Sequence, residues 1–179
     1  EALKRFDSVR YQQLSFANPL PPEKRGKPSY SYGKNYLEDC ENGLCWDMIS
    51  QVGALIKSFE PENPFRGYYV DKIMATGATG GDLSLYVCAI HPLHCLNDEK
   101  PVYDGFLIYM TGAPGGINQE TPKLTELDER CKFYSEVPLI HVLTTGDILG
   151  GGWHPDWAYM QRRPDADEPD KKLRLYEIA

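Results

Sequence analysis

Apolar residues recur along this chain in two rhythms, and the alternation between them sets the expected fold class. Cys45, Met48, Ile49, Val52, Leu55 and Ile56 return at helical spacing between the start signal Asn42-Gly43 and the breakers Pro61 and Pro64. That spacing predicts an amphipathic helix over 44–58, with Asp47, Ser50, Gln51 and Lys57 on its polar side. Residues 68–76 then carry a short apolar run, Tyr69, Val70, Ile73, Met74 and Ala75, which ends in Gly77-Ala78-Thr79-Gly80-Gly81. A run of this length closing on small residues predicts a buried strand and a tight turn. Leu83, Leu85, Tyr86, Val87, Ala89 and Ile90 predict a dense apolar helix, broken at Pro92.

The same alternation continues to the end of the chain. Residues 102–110 (VYDGFLIYM) predict a second strand leading into a Gly/Pro loop at 111–116, and 124–134 predict a polar helix. A third strand is predicted at 137–143, followed by a Gly-rich stretch over 144–152, a helix at 156–162 and a fourth strand at 173–178. Strands alternating with helices imply an α/β fold, a mostly parallel sheet with flanking helices whose ligands gather at the carboxyl ends of the strands. Residues 1–34 show no sustained period and hold Pro19, Pro21, Pro22 and Pro28, which predicts an irregular lead-in before the organised domain at 35–179.

Composition removes several function classes. With 179 residues, 41% hydrophobic and 25% charged, the chain suits one domain with a packed core. Its 19 Lys+Arg against 26 Asp+Glu give a net charge of −7, with no basic cluster longer than a pair. Nucleic acid and anionic membrane surfaces are therefore set aside as partners. No stretch approaches the roughly 20 apolar residues of a membrane span. The five cysteines are odd in number, so one stays free or pairs between chains, and the redox compartment stays open. No N-x-S/T sequon with a permitted middle residue occurs.

Candidate chemistry concentrates after the predicted strands. Gly77-Ala78-Thr79-Gly80-Gly81 fits the spacing of a nucleophile elbow, G-x-S-x-G, with Thr79 in the serine place and glycines where side chains would collide. The same small residues also suit plain strand-to-helix packing. Asp147 follows the third strand, where a carboxylate orients a catalytic histidine; an Asx-type turn after Gly146 is the alternative, and the placement after the strand end favours the acid role. His154 is the one histidine after Asp147, and it precedes the last strand. His91, His94 and Cys95 have a ligand-like spacing but lack a second ligand pair, and a helix terminus accounts for them better than zinc. His141, inside an apolar run, reads as a hydrogen-bonded core residue. The acidic run Asp165, Asp167, Glu168 and Asp170 lacks the ligand order of a calcium loop, and Gly112 to Gly116 lacks the lysine of a phosphate loop.

The segments Gly43 to Leu55 (GLCWDMISQVGAL), Gly77 to Gly81, Pro101 to Leu107 (PVYDGFL), and Arg163-Pro164-Asp165 leading to Leu173 to Glu177 resemble the alpha/beta hydrolase domain family, over roughly residues 40–179. The resemblance implies a serine-hydrolase mechanism on a carboxylic ester or similar acyl substrate. By position it makes Thr79 the nucleophile, Asp147 the acid, Gly80 the oxyanion N–H donor and Gly77 and Gly81 the elbow glycines. The chain departs from the family pattern in two places. Threonine replaces serine, or, in a register shifted by two, Gly77 stands there and no nucleophile remains; and no histidine follows the last strand.

In that fold the elbow strand is central, whereas here it stands first. The chain, which opens at Glu1, is therefore expected to be the carboxyl half of a larger fold, completed by another segment or chain. Two readings follow: an esterase-type hydrolase completed from outside, and a catalytically inactive relative retained as a binding or structural subunit. A metal-dependent hydrolase built on His91, His94 and Asp98 is the weakest alternative. No cofactor and no metal are required.

Overall fold

Parallel pairing begins where two apolar runs lie side by side in register, and this sets where each strand starts. The computed structural model describes residues 43–78, 81–96, 99–109, 135–149 and 163–179, together with 5, 7–9, 21 and 23. Its sheet comprises β1 (Met74–Ala78), β2 (Gly105–Tyr109), β3 (Leu139–Thr144), β4 (Ala166–Glu168) and β5 (Lys171–Ile178), in the order β1-β2-β3-β5-β4. β1, β2, β3 and β5 run parallel, and β4 folds back antiparallel on β5. The helices are α1 (Leu44–Lys57), α2 (Gly81–Leu85) and the short α3 (Thr145–Ile148). α2 continues as a π-helical turn over Tyr86–Ile90 and a 3-10 turn over His91–Leu93.

One face of the sheet builds the core. Ala75, Phe106, Leu139 and Leu173 form one cross-strand row, and Gly77, Ile108, His141 and Leu175 the next. Over the first row pack Trp46, Leu85, Tyr86, Val87 and Ile90 from the helix layer, with Val102 and Tyr103. Rings of Tyr86, His91, Tyr103 and Phe106 meet edge-on or tilted, His91 and Phe106 with centroids 4.9 Å apart at 87°, the geometry that aromatic quadrupoles favour. The opposite face presents Leu107, Tyr109, Ile140 and Tyr176 as exposed side chains.

Several elements differ from the sequence reading. The first strand begins at Met74 instead of residue 68, because its partner β2 begins at Gly105, the residue opposite Met74. Upstream, Asp104 replaces strand pairing. Its carboxylate accepts the Ile73 N–H at 2.9 Å, its own N–H donates to the Ile73 carbonyl at 2.9 Å, and it binds Lys57 at 2.8 Å and Lys72 at 3.1 Å. Burial pushes this carboxyl up, but Lys57, the Ile73 N–H and Lys72 together hold it below the usual carboxylate range.

The second and third predicted strands start later than expected, at Gly105 and Leu139, and the last begins earlier, at Lys171. The hairpin to β4 was not expected; Arg174 ties it down, its Nη2 donating to both oxygens of Asp167 at 2.7 and 2.6 Å and its Nη1 to the Ala166 carbonyl at 3.1 Å. The helix predicted over 83–90 runs past Pro92, whose missing N–H is harmless at the start of the 3-10 turn. The loop at 111–116 and the helices at 124–134 and 156–162 lie outside the described residues.

The largest correction concerns which side of α1 faces inward. Its buried stripe is Trp46, Ser50 and Gly53, while Met48 and Val52 from the expected apolar side are exposed. Gly53 allows this rotation, since a Cβ there would lie 2.5 Å from Val102 Cγ1 and 2.9 Å from Tyr103 Cζ. Tyr103 Oη then donates to the Ile49 carbonyl at 2.7 Å. Gly53→Ala is expected to destabilise the fold by about 1–2 kcal/mol, overpacking outweighing the gain of about 1 kcal/mol in helix propensity. Urea unfolding measures this, and a stabilised variant contradicts the close packing.

Candidate active site

At the carboxyl end of the sheet, β1 stops at Ala78 and α2 begins at Gly81. Thr79 and Gly80, between the two elements in the sequence, lie outside the described residues. Gly77 shows how tight the junction is. A Cβ at that position would meet Leu83 Cδ2 at 2.7 Å and Leu83 Cβ at 3.3 Å, so a larger residue there would require the Leu83 side chain to move aside. Gly81 opens the helix.

Asp147 stands at the same end of the sheet, in the turn of helix that follows β3. Thr144 N–H and Thr144 Oγ1 donate to its Oδ2 at 2.7 and 2.8 Å, and its own N–H returns to Thr144 Oγ1 at 3.3 Å. This reciprocal capping box satisfies donors that the first turn of a helix leaves open. Beside it Thr145 Oγ1 donates to the Ile178 carbonyl at 3.3 Å and joins the ends of β3 and β5. β1 and β3 are separated by β2, so their ends lie about 10 Å apart at about 4.8 Å per strand. An imidazole hydrogen-bonded through both nitrogens is the kind of group that bridges such a gap. The structure thus brings Gly77, Gly81 and Asp147 to one end of the sheet, while Thr79, Gly80 and His154 lie outside the described residues.

The histidines inside the described core have other work. His141 is buried in β3, where burial pushes its pKa down to about 4 against the upward pull of Asp147. His91 Nε2 accepts the Tyr103 N–H at 3.1 Å, and its Nδ1 faces a Glu136 carboxylate oxygen at 3.9 Å. Burial, with smaller contributions from His94 and Lys57, lowers its pKa to about 4. No group of three His, Cys, Asp or Glu side chains suited to hold a metal occurs among the described residues, and Asp98 lies outside them.

A second polar centre was not foreseen. Ser50 Oγ lies 2.7 Å from Tyr86 Oη and 2.6 Å from His94 Nδ1, and His94 Nε2 lies 3.7 Å from Asp47 Oδ1. Helical periodicity assigned Ser50 to the solvent side, and the bulk of Trp46 at helical spacing before the small residues Ser50 and Gly53 was the available signal for the true stripe.

Parallel strands laid down in chain order, with a strand running through a glycine-tight turn into a buried helix and an acidic residue after the third strand, give the fold of the α/β-hydrolase class. A family described as alpha/beta hydrolase domain matches residues 1–179, and the chain belongs to that family. The match takes in residues 1–34, beyond the reach of the resemblance over 40–179. Neither the curated proteins nor the solved structures gave a match. No helix among the described residues is long and apolar enough to cross a membrane.

The buried histidines generate a pH prediction. Both pKa values are lowered in the folded state, so the unfolded chain binds these protons first as pH falls. Their stabilising contribution is complete above about pH 6.5 and declines toward pH 4. Urea midpoints measured across that window should fall with pH, and His91→Gln should make the fall shallower. An unchanged slope in the variant contradicts the burial of a neutral His91.

Proposed function

We propose that the protein is a carboxylic ester (acyl) hydrolase in which Thr79 is the nucleophile. The reading is supported by the junction of β1 and α2, where a Cβ at Gly77 would meet the Leu83 side chain at 2.7 and 3.3 Å, and by the place of Thr79 in the sequence between the two elements. In that position the Thr79 hydroxyl attacks the acyl carbonyl, and the Gly80 N–H supports the oxyanion. A histidine supplied by residues beyond this chain takes the proton and returns it to the leaving alkoxide, and Asp147 orients that histidine. Water then releases the acid. Asp147 Oδ1 is the atom available for this role, since Oδ2 already accepts both bonds from Thr144. Threonine narrows the substrate range toward unhindered acyl groups, because its methyl restricts χ1 and crowds the tetrahedral adduct.

A second reading has its own support. The capping box around Asp147 is complete without any histidine, as expected of an inactive relative kept as a binding or structural subunit. Both readings include completion of the sheet by another segment or chain beside β1, which is its edge among the described residues.

Asp147→Asn separates them, because asparagine retains an oxygen to accept the Thr144 donors but no longer stabilises an imidazolium. On an active preparation the enzyme reading expects a loss of turnover on the order of 10³–10⁴ for a small nitrophenyl ester, with unchanged thermal unfolding. Thr79→Ser is expected to retain or raise the rate. Unchanged turnover in Asp147→Asn removes Asp147 from the mechanism. If neither the unsubstituted protein nor the Thr79→Ser variant hydrolyses the ester in the completed fold, the structural subunit is favoured.

A further inference from the structure

The constellation around Ser50 shares no residue with the 77–81 turn or with Asp147. Tyr86 is completely buried, and among the described residues Ser50 Oγ is the hydrogen-bond partner of its hydroxyl, at 2.7 Å. A buried O–H donates, since leaving it unmet costs about 1–3 kcal/mol. Burial raises the phenol to about 12, so it stays a neutral donor. With the phenol donating, Ser50 Oγ accepts from Tyr86, and it lies 2.6 Å from His94 Nδ1, to which it donates in the tautomer that leaves that nitrogen without a proton. In that tautomer the ring proton is on Nε2, the nitrogen that faces Asp47 Oδ1 at 3.7 Å.

The result is a hydrogen-bonded row of Tyr86, Ser50 and His94, with the Asp47 carboxylate 3.7 Å beyond, a charge contact longer than a hydrogen bond. It has the roles of a hydroxyl, a base and an orienting carboxylate, with the imidazole turned so that Nδ1 meets the hydroxyl. Exposure rises along it, from Ser50 at 8% through the His94 side chain at 28% to that of Asp47 at 61%, so the base and its carboxylate reach solvent while the hydroxyl is recessed. Ser50 and Asp47 sit on α1, and Tyr86 and His94 on the segment after α2, two elements held together by the packed core. The geometry is thus fixed by rigid neighbours, as a preorganised hydroxyl requires.

We infer that Ser50 is a base-activated hydroxyl, with His94 as its base, that accepts an acyl or phosphonyl group from small activated electrophiles of the ester class. In the acyl case the Ser50 Oγ–carbon bond forms, the carbon–oxygen bond to the leaving alkoxide breaks, and the serine proton passes through His94 Nδ1 to that alkoxide. Water repeats the sequence, giving its proton to His94 and releasing the acid. With a fluorophosphonate, the oxygen–phosphorus bond forms as fluoride leaves, and no water step follows. This inference stands apart from the elbow reading, and either can fail alone.

The test is labelling of the unsubstituted full chain with a small alkyl fluorophosphonate, followed by digestion and mass mapping. An adduct on Ser50, formed about 10²–10⁴-fold more slowly in His94→Ala with an unchanged circular dichroism spectrum, is the expected result. Absence of an adduct on the Ser50 peptide overturns the inference, as does a labelling rate that His94→Ala leaves unchanged. An adduct confined to Thr79 also overturns it and supports the elbow instead. Since the first measurement uses no variant, a folding defect in a substituted chain leaves the outcome readable.

Discussion

Tyr86 carries a phenol into the centre of an apolar core, and the requirement that its hydroxyl be met organises the helix layer. The ring packs edge-on against Tyr103 and Phe106, while the oxygen reaches Ser50 on α1. An unmet buried hydroxyl would cost about 1–3 kcal/mol, a large share of a domain's stability of about 5–15 kcal/mol. α1 is accordingly turned to place a serine inward. Gly53, one helical step further along the same stripe, lets the helix settle onto Val102 and Tyr103, and Tyr103 closes the contact by bonding the Ile49 carbonyl. The polar centre of Ser50, Tyr86 and His94 is thus a consequence of core packing as well as a chemical opportunity.

The sheet is clasped at both ends by carboxylates with different tasks. At the amino end Asp104 gathers Lys57, Lys72 and the Ile73 backbone, which binds the end of α1 to the start of β1 and β2. At the carboxyl end Asp147 caps the turn after β3, and Thr145 ties that turn to β5. Fixing the strand ends in this way holds the region where ligands of parallel sheets collect. An acid that is already locked by two short bonds from Thr144 keeps its position whether or not a histidine approaches.

Among the described residues, the two edges of the sheet are treated differently. At one, β4 folds back and lays charges along the margin, with Arg174 on Asp167 and Lys171 on Glu168. Such charges discourage further pairing. At the other, β1 brings only Met74, Ala75, Thr76, Gly77 and Ala78, none of them charged. The exposed Leu107, Tyr109, Ile140 and Tyr176 lie on one face of the strands beside it, where parallel sheets are ordinarily covered.

The α/β class, the helix at 44–57 and the core of every parallel strand were legible in the sequence, because apolar runs of strand length and a helical period depend on local spacing alone. The place of Asp147 just past the end of a strand was legible too, but its part in a capping box with Thr144 was not. Strand limits were not, since Tyr68 and Tyr69 suit a strand but gain one only where a neighbouring strand runs alongside, and β2 starts opposite Met74. Nor was the inward side of α1, because an apolar count ranks Met48 and Val52 above Ser50 and Gly53. Local pattern determined which elements form and in what order; tertiary packing decided how they are turned, since a buried phenol needs a partner and a close contact needs a glycine.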